Sequence, residues 1–312
     1  MANILIAGCG DLGSDLASEL VSQGHHVTGI RRTQSVFPHG VEGITGDLLE
    51  MDDSMLPEAD VVFLIMTPNG RNEAAYRAAY FDTAQVLVRR YKNTDQPPTV
   101  FFVSSTSVYG QSQGEWIDES TPAQPSSVTA EVLLDTERLL ASAFASVAVR
   151  CSGIYGAGRF RLLETVLSGK AWEANSWTNR IHRDDVVSAL VLLAHCALNK
   201  KTLPAHVIVT DQTPVSMWEV KLWLATCLGA NVAVINGEGT NVQIKLRGED
   251  SHRHILSGDQ PGNLDAQAPG EVDLAGYDMV ALAMAEPQYG SPDIRALMKR
   301  IGDARLPCLS IM

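Results

Sequence analysis

Positive charge is in short supply: 24 lysines and arginines stand against 36 aspartates and glutamates, a formal net charge of −12 over 312 residues. Neutralising a phosphate backbone needs the opposite balance, so nucleic acid is not an expected partner. Cysteine is sparse and scattered. Cys9, Cys151, Cys196, Cys227 and Cys308 form no Cys-x-x-Cys pair, and an odd number suits neither a disulfide framework nor a zinc site. Reduced, mostly buried thiols and no metal are expected. No lysine or arginine precedes Arg31, so the n-region of a secretory signal is missing, and the apolar run at 4–7 is far too short to cross a bilayer. The expectation is a cytoplasmic protein with no membrane partner. Low-complexity segments and short-period repeats are also missing.

What is present is a chain with 45% hydrophobic residues and room for about two domains at roughly 150 residues each. In the first half, short β-branched runs at 4–7, 27–30, 61–66, 100–103 and 147–149 alternate with amphipathic stretches of helical length. Unbroken apolar strands belong to a sheet buried on both faces, and Leu12, Leu16, Leu20 and Val21 keep the spacing of a helix facing it. The pattern predicts an α/β fold with a doubly wound parallel sheet, the Rossmann fold. Beyond Arg150 it predicts helices at 161–167, 184–198 and 217–228 and a strand at 206–209, together a small capping lobe over the sheet's carboxyl edge. From about Gly229 hydrophobic periodicity fades into an irregular C-terminal extension, 229–312.

Directly after the first apolar run stands Gly8-Cys9-Gly10-Asp11-Leu12-Gly13, a GxGxxG that opens a helix. The first glycine permits the tight turn, the second lets a pyrophosphate approach the backbone, and the third lets helix and strand pack closely. The helix start then offers N–H groups and a positive dipole end to the anion. Residues 1–228 therefore read as a dinucleotide-binding domain with substrate-lobe elements after about 150. An acid about 20 residues past the loop would select NAD. Here the second strand ends Gly29-Ile30-Arg31-Arg32, with two guanidinium groups where a 2′-phosphate would lie, so NADP is preferred over NAD. The alternative is a solvated basic pair. Asp47, after the third strand, either reaches the adenine amino group or is an ordinary turn aspartate. Thr67, after the 61–66 run, completes the cofactor-side candidates.

Three later segments are Ser104-Ser105-Thr106-Ser107-Val108-Tyr109-Gly110, the stretch Arg150-Cys151-Ser152-Gly153-Ile154-Tyr155-Gly156-Ala157-Gly158-Arg159, and Asn179-Arg180-Ile181-His182-Arg183-Asp184-Asp185. In order and spacing they resemble the SSxxVYG, RxxxxYGPGR and HxxD segments of the extended short-chain dehydrogenases/reductases, the NAD-dependent epimerase/dehydratase family. The resemblance covers about residues 1–228. It implies a dinucleotide in the first lobe, a nucleotide sugar or related alcohol or carbonyl as small-molecule substrate, oxidoreductase or epimerase chemistry, and often a homodimer. The family's catalytic Ser/Thr falls on Ser105, whose hydroxyl would polarise the substrate oxygen that gains or loses hydride. The other reading of Ser105 is a loop serine satisfying backbone groups.

One departure concerns the family's Tyr-x-x-x-Lys pair. Counted back from Glu137-Arg138-Leu139-Leu140, the tyrosine position is Thr129 and the lysine position is Leu133, and no tyrosine or lysine occurs between Gly110 and Gly153. Proton transfer needs a group poised near working pH, which threonine and leucine are not. Either another acid serves, with His182 beside Asp184 and Asp185 preferred over Tyr109 and Tyr155, or the chain is a catalytically degenerate NADP-binding regulatory or scaffold protein. Arg159, Asn179 and Arg180 are candidates to grip an anionic substrate, and Trp172 and Trp177 to stack on it; each is equally readable as packing or solvated surface.

Little beyond Ala230 matches the family. The strand-like run 232–235 precedes Gly237-Glu238-Gly239, which lacks the third glycine and the helix of a second dinucleotide loop. The stretches 278–285, 293–300 and 308–312 read as strand, helix and strand of a partial second Rossmann-like unit. His252 and His254 supply two ligands of a set that needs more, so a solvated loop is expected there.

Overall fold

The computed structural model describes residues 1–168, 172 and 175–228, together with the backbone of four short strands at 231–235, 241–245, 280–283 and 308–311. Contacts divide the chain into two units, Met1–Ala157 with Thr178–Pro214, and Gly158–Trp177 with Val215–Met312.

The first unit opens with β1 (Asn3–Ala7), α1 (Asp11–Ser22), β2 (His26–Arg31), β3 (Val41–Thr45) and β4 (Val61–Leu64). Helix α2 (Glu73–Tyr76) passes through a π-helical turn at Arg77–Asp82 into α3 (Thr83–Tyr91). Then come β5 (Thr99–Ser105), α4 (Val128–Ala143), β6 (Ser146–Cys151) and β7 (Gly153–Tyr155). After α5 (Arg161–Leu167) in the second unit and the short β8 (Trp177–Thr178), the first unit resumes with β9 (Arg180–His182), α6 (Arg183–Leu198) and β10 (His206–Val209).

Seven strands form one sheet in the order β10-β6-β5-β4-β1-β2-β3, and every neighbouring pair is parallel. The order runs outward in both directions from β1 and β4, which creates the switch point where such sheets bind ligands beyond the strands' carboxyl ends. Alternation along each strand feeds two cores. Ile4 and Ile6 join Leu16 and Leu20 of α1 and Val186 and Leu190 of α6 on one face. Leu5 and Ala7 join Leu87 of α3 and Leu133 and Leu140 of α4 on the other. The predicted doubly wound Rossmann sheet is what the chain forms.

Two placements differ from the pattern reading. The 206–209 run lies in the sheet as its edge strand, parallel to β6, and α6 packs beside α1 instead of capping the carboxyl edge. The cause is apolar surface: Val186, Val187, Leu190 and Ala194 form a buried stripe that a lobe at the sheet edge would leave exposed. Strand β5 also extends to Ser105, so Ser104 and Ser105 close the strand instead of following it.

In the second unit, β11 (Val215–Ser216) leads into α7 (Met217–Leu228). The Lys221 ammonium sits 5.4 Å from the centre of the Trp172 ring, and the Asn175 side-chain oxygen accepts from the Trp218 N–H at 3.0 Å. Strands β12 (Asn231–Ile235) and β13 (Asn241–Lys245) pair antiparallel, a hairpin and not the strand–helix start of a dinucleotide loop. Strands β14 (Val280–Ala283) and β15 (Cys308–Ile311) pair parallel. The helix expected at 293–300 and the histidines His252 and His254 lie outside the described residues.

Candidate functional site

The glycine loop leaves β1 with Gly8 at φ +99°, and a β-carbon there would stand 1.9 Å from the carbonyl oxygen of Ile65. At Gly13 it would stand 2.4 Å from the carbonyl oxygen of Gly8. Both glycines are therefore required by backbone packed against backbone. Gly10 differs, since nothing lies within 4 Å of its β-carbon position. It is also the N-cap of α1, and no side chain caps that helix start. An open approach over an uncapped helix N-terminus is the geometry that receives a pyrophosphate.

Arg31 at the end of β2 is held beside this loop. Its Nη2 donates to the Ser35 carbonyl at 2.6 Å, its guanidinium carbon lies 4.0 Å above the Phe37 ring, and its buried Nε has no protein partner. Arg32 is exposed and its Nη2 donates to Asn69 at 3.4 Å. The Asp47 carboxylate accepts the Leu49 N–H at 3.0 Å, a turn contact that leaves its second oxygen available. Thr67 is exposed just past β4. Under the loop, burial pushes the Cys9 thiol's pKa up, so it stays protonated and inert.

Ser105 pairs in register with Cys151, and its oxygen accepts the Ser107 N–H at 3.1 Å, capping the short turn Thr106–Val108. Its hydrogen remains able to donate. On α4, Thr129 is half-buried, with its hydroxyl 3.2 Å from that of Ser127. Leu133 is 3% exposed and belongs to the core. The lysine position is thus filled by a packing residue.

Tyr109 is buried, and its phenol oxygen accepts from Arg150 Nη1 at 2.8 Å. Arg150 also grips Glu137 with two bonds, Nη2 to Oε2 at 2.7 Å and Nε to Oε1 at 3.2 Å, while the Ser104 hydroxyl donates to Oε1 at 2.6 Å. Burial by itself lowers the Arg150 pKa; the bonds to Glu137 and Tyr109 more than offset it. This network commits Tyr109 to structure. Sequence reasoning missed it, although a glutamate inside a leucine-rich helix was a signal that a buried partner exists.

Tyr155 and His182 meet across the β7–β9 pair, ring centres 5.2 Å apart and edge to face. His182 is the N-cap of α6: its Nδ1 accepts the Asp184 N–H at 3.3 Å and lies 3.5 Å from the Asp184 carboxylate. Capping therefore occupies Nδ1 in the neutral ring. Asn179 accepts the Gly153 N–H through its carbonyl, and burial lowers the pKa of Arg180 against the opposing charges of Asp211 and Tyr155. Arg159, Trp172 and Trp177 belong to the second unit. Ser152, one residue past β6, is buried with a hydroxyl that no protein group satisfies. Arg183, adjacent to the cap, forms ion pairs with both Asp11 and Asp15 of α1. Among the described residues no group of three His, Cys, Asp or Glu side chains is placed to hold a metal ion, and no helix is long and apolar enough to cross a membrane.

A profile of the "NAD dependent epimerase/dehydratase family" matches residues 4–203. Protein YeeZ of Escherichia coli K12 is 31% identical over 204 residues, 62% of this chain and 73% of its own length. A solved structure from Methylobacillus flagellatus, described as an NAD-dependent epimerase/dehydratase, is 35% identical and superposes with a TM-score of 0.62, covering 73% of this chain and 82% of that one. MoeE5 in complex with UDP-glucose and NAD is 24% identical with a TM-score of 0.60, covering 73% and 82%, a likeness of fold.

Proposed function

The chain belongs to the NAD dependent epimerase/dehydratase family, and on that premise we propose that it binds NADP(H) in preference to NAD(H) and acts on an alcohol or carbonyl carbon of a nucleotide sugar or related small molecule. The observation that carries this reading is the cradle: open space over Gly10, an uncapped start of α1, and Arg31 with an unpartnered buried Nε at the end of β2. When bound, the nicotinamide would supply or accept hydride. The start of α1 holds the pyrophosphate, Arg31 and Arg32 hold the 2′-phosphate, and Asp47 and Thr67 flank the adenosine side. Ser105 donates its remaining hydrogen to the substrate oxygen as charge develops there. The substrate class rests on relatives of the same fold, one of them solved with UDP-glucose and NAD.

Leu133 favours a second reading, an NADP-binding protein that has lost catalysis, because a buried leucine neither lowers a phenol's pKa nor holds a ribose. Calorimetric titration with NADPH and NADH tests what both readings share. NADPH should bind more tightly than NADH, and the double substitution Arg31→Ala/Arg32→Ala should weaken NADPH by about ten-fold or more while changing NADH little. If neither nucleotide binds, both readings fail. Turnover of a nucleotide-sugar panel, followed by nicotinamide absorbance and abolished by Ser105→Ala, selects the first; tight binding with no turnover selects the second.

A further inference from the structure

Asp11 is the first residue of α1 and Asp15 stands one turn later, so two carboxylates flank the helix start that the proposed function assigns to a pyrophosphate. A carboxylate there is favourable to the helix dipole but competes with any anion the same N-terminus must hold. Arg183, at the start of α6, meets both. Its guanidinium is 14% exposed, and Nη2 lies 2.7 Å from Asp11 Oδ1 and also bonds Asp15 Oδ2. Nη1 donates to the Ala157 carbonyl at 3.0 Å. The guanidinium is thus fixed by two carboxylates and a backbone oxygen, with the Asp184 carboxylate 3.9 Å from its Nε, a fork that a lysine does not reproduce.

We propose that Arg183 is a positioning residue for the dinucleotide: it neutralises the charge of Asp11 and Asp15 at the glycine loop and ties the first turn of α1 to the start of α6. The inference rests on the reading of that loop as the pyrophosphate site. At the start of α1, Asp11 and Asp15 with this guanidinium carry a single negative charge; without it the two carboxylates present twice that to an incoming anion. The interaction acts at short range in a half-buried place, where screening by salt is incomplete.

The test is NADPH titration of the full chain in four forms, with circular dichroism to verify folding. Wild type should bind. Arg183→Gln should bind about ten- to hundred-fold more weakly. The triple variant Arg183→Gln/Asp11→Asn/Asp15→Asn should recover to within about three-fold of wild type, because the repelling charges are gone. Asp11→Asn/Asp15→Asn with Arg183 intact should bind more tightly than wild type. If wild type binds and Arg183→Gln binds equally well, the proposal is overturned. A triple variant as weak as Arg183→Gln overturns it too, since a purely structural strut would not be rescued by removing charge. If Arg183→Gln does not fold, the carboxamide pair alone decides: tighter binding supports the proposal and ten-fold weaker binding overturns it. Failure of wild type to bind either dinucleotide would instead sink the functional reading.

Discussion

The start of α1 and the middle of α4 are two places where this fold meets cofactor chemistry, and they have been filled on different principles. At α1, Gly10 has no β-carbon contact to avoid, and the helix start has no capping side chain. Protein packing requires neither feature, and both are what the proposed pyrophosphate site would need. At α4, Leu133 is buried among Leu5, Leu64 and Leu140, and the nearby phenol of Tyr109 is bound by Arg150. Packing alone explains that end. On the proposed reading, a cofactor cradle and a proton-transfer pair are separable: the first can persist where the lysine position of the second has become core.

The comparison breaks if α4 tolerates the family's residue. Leu133→Lys should cost at least about 3 kcal/mol, since it removes a packed side chain and leaves an ammonium unpaired in the core. Urea unfolding measures it; unchanged stability would mean that a site for a cation survives there. Gly10→Ala sharpens the other half. It should change stability by less than about 1 kcal/mol, because the added methyl meets no protein atom, yet weaken dinucleotide binding by about ten-fold or more, because it occupies the approach to the helix start. A loss of stability equal to the loss of binding would make Gly10 a structural glycine like Gly8.

The smallest expected effect comes from an ion pair between α3 and the turn at Asp53–Met55. Arg89 donates to both oxygens of Asp53 and holds that carboxyl below the usual carboxylate range. A lowered folded-state pKa gives stability that is present above the ordinary carboxylate value and lost as pH falls through the lowered one. Arg89→Ala should lie slightly below wild type at neutral pH and converge with it in strong acid, a contrast readable in melting curves across pH. Arg89 is exposed and Asp53 only half-buried, so the difference is small.

The legible parts of this molecule were those written in contiguous residues. Three glycines within six positions, preceded by an apolar run and followed by leucines at helical spacing, define the loop without help from the rest of the chain. The apolar run 61–66 overshoots β4 by two residues because Ile65 and Met66 remain apolar where they pass under Gly8. Joining β10 to β6 was not legible, since a four-residue apolar run carries no address. Nor was the Arg183 contact with Asp15, which spans 168 positions, or the Arg150 bond to Tyr109, which spans 41. Charged side chains far apart in sequence give no periodic signal of their pairing.

Strand β10 is the last of the seven, and an edge strand invites a stranger's strand to add to it. Glu119 answers that invitation twice: its carboxylate accepts the Ile208 N–H at 2.9 Å, and its carbonyl oxygen meets His206 Nε2 at 2.9 Å. Any second chain seeking to extend the sheet at β10 must first displace this carboxylate. Substituting Glu119 should free the Ile208 N–H for pairing with another strand, a change that light scattering would read as self-association.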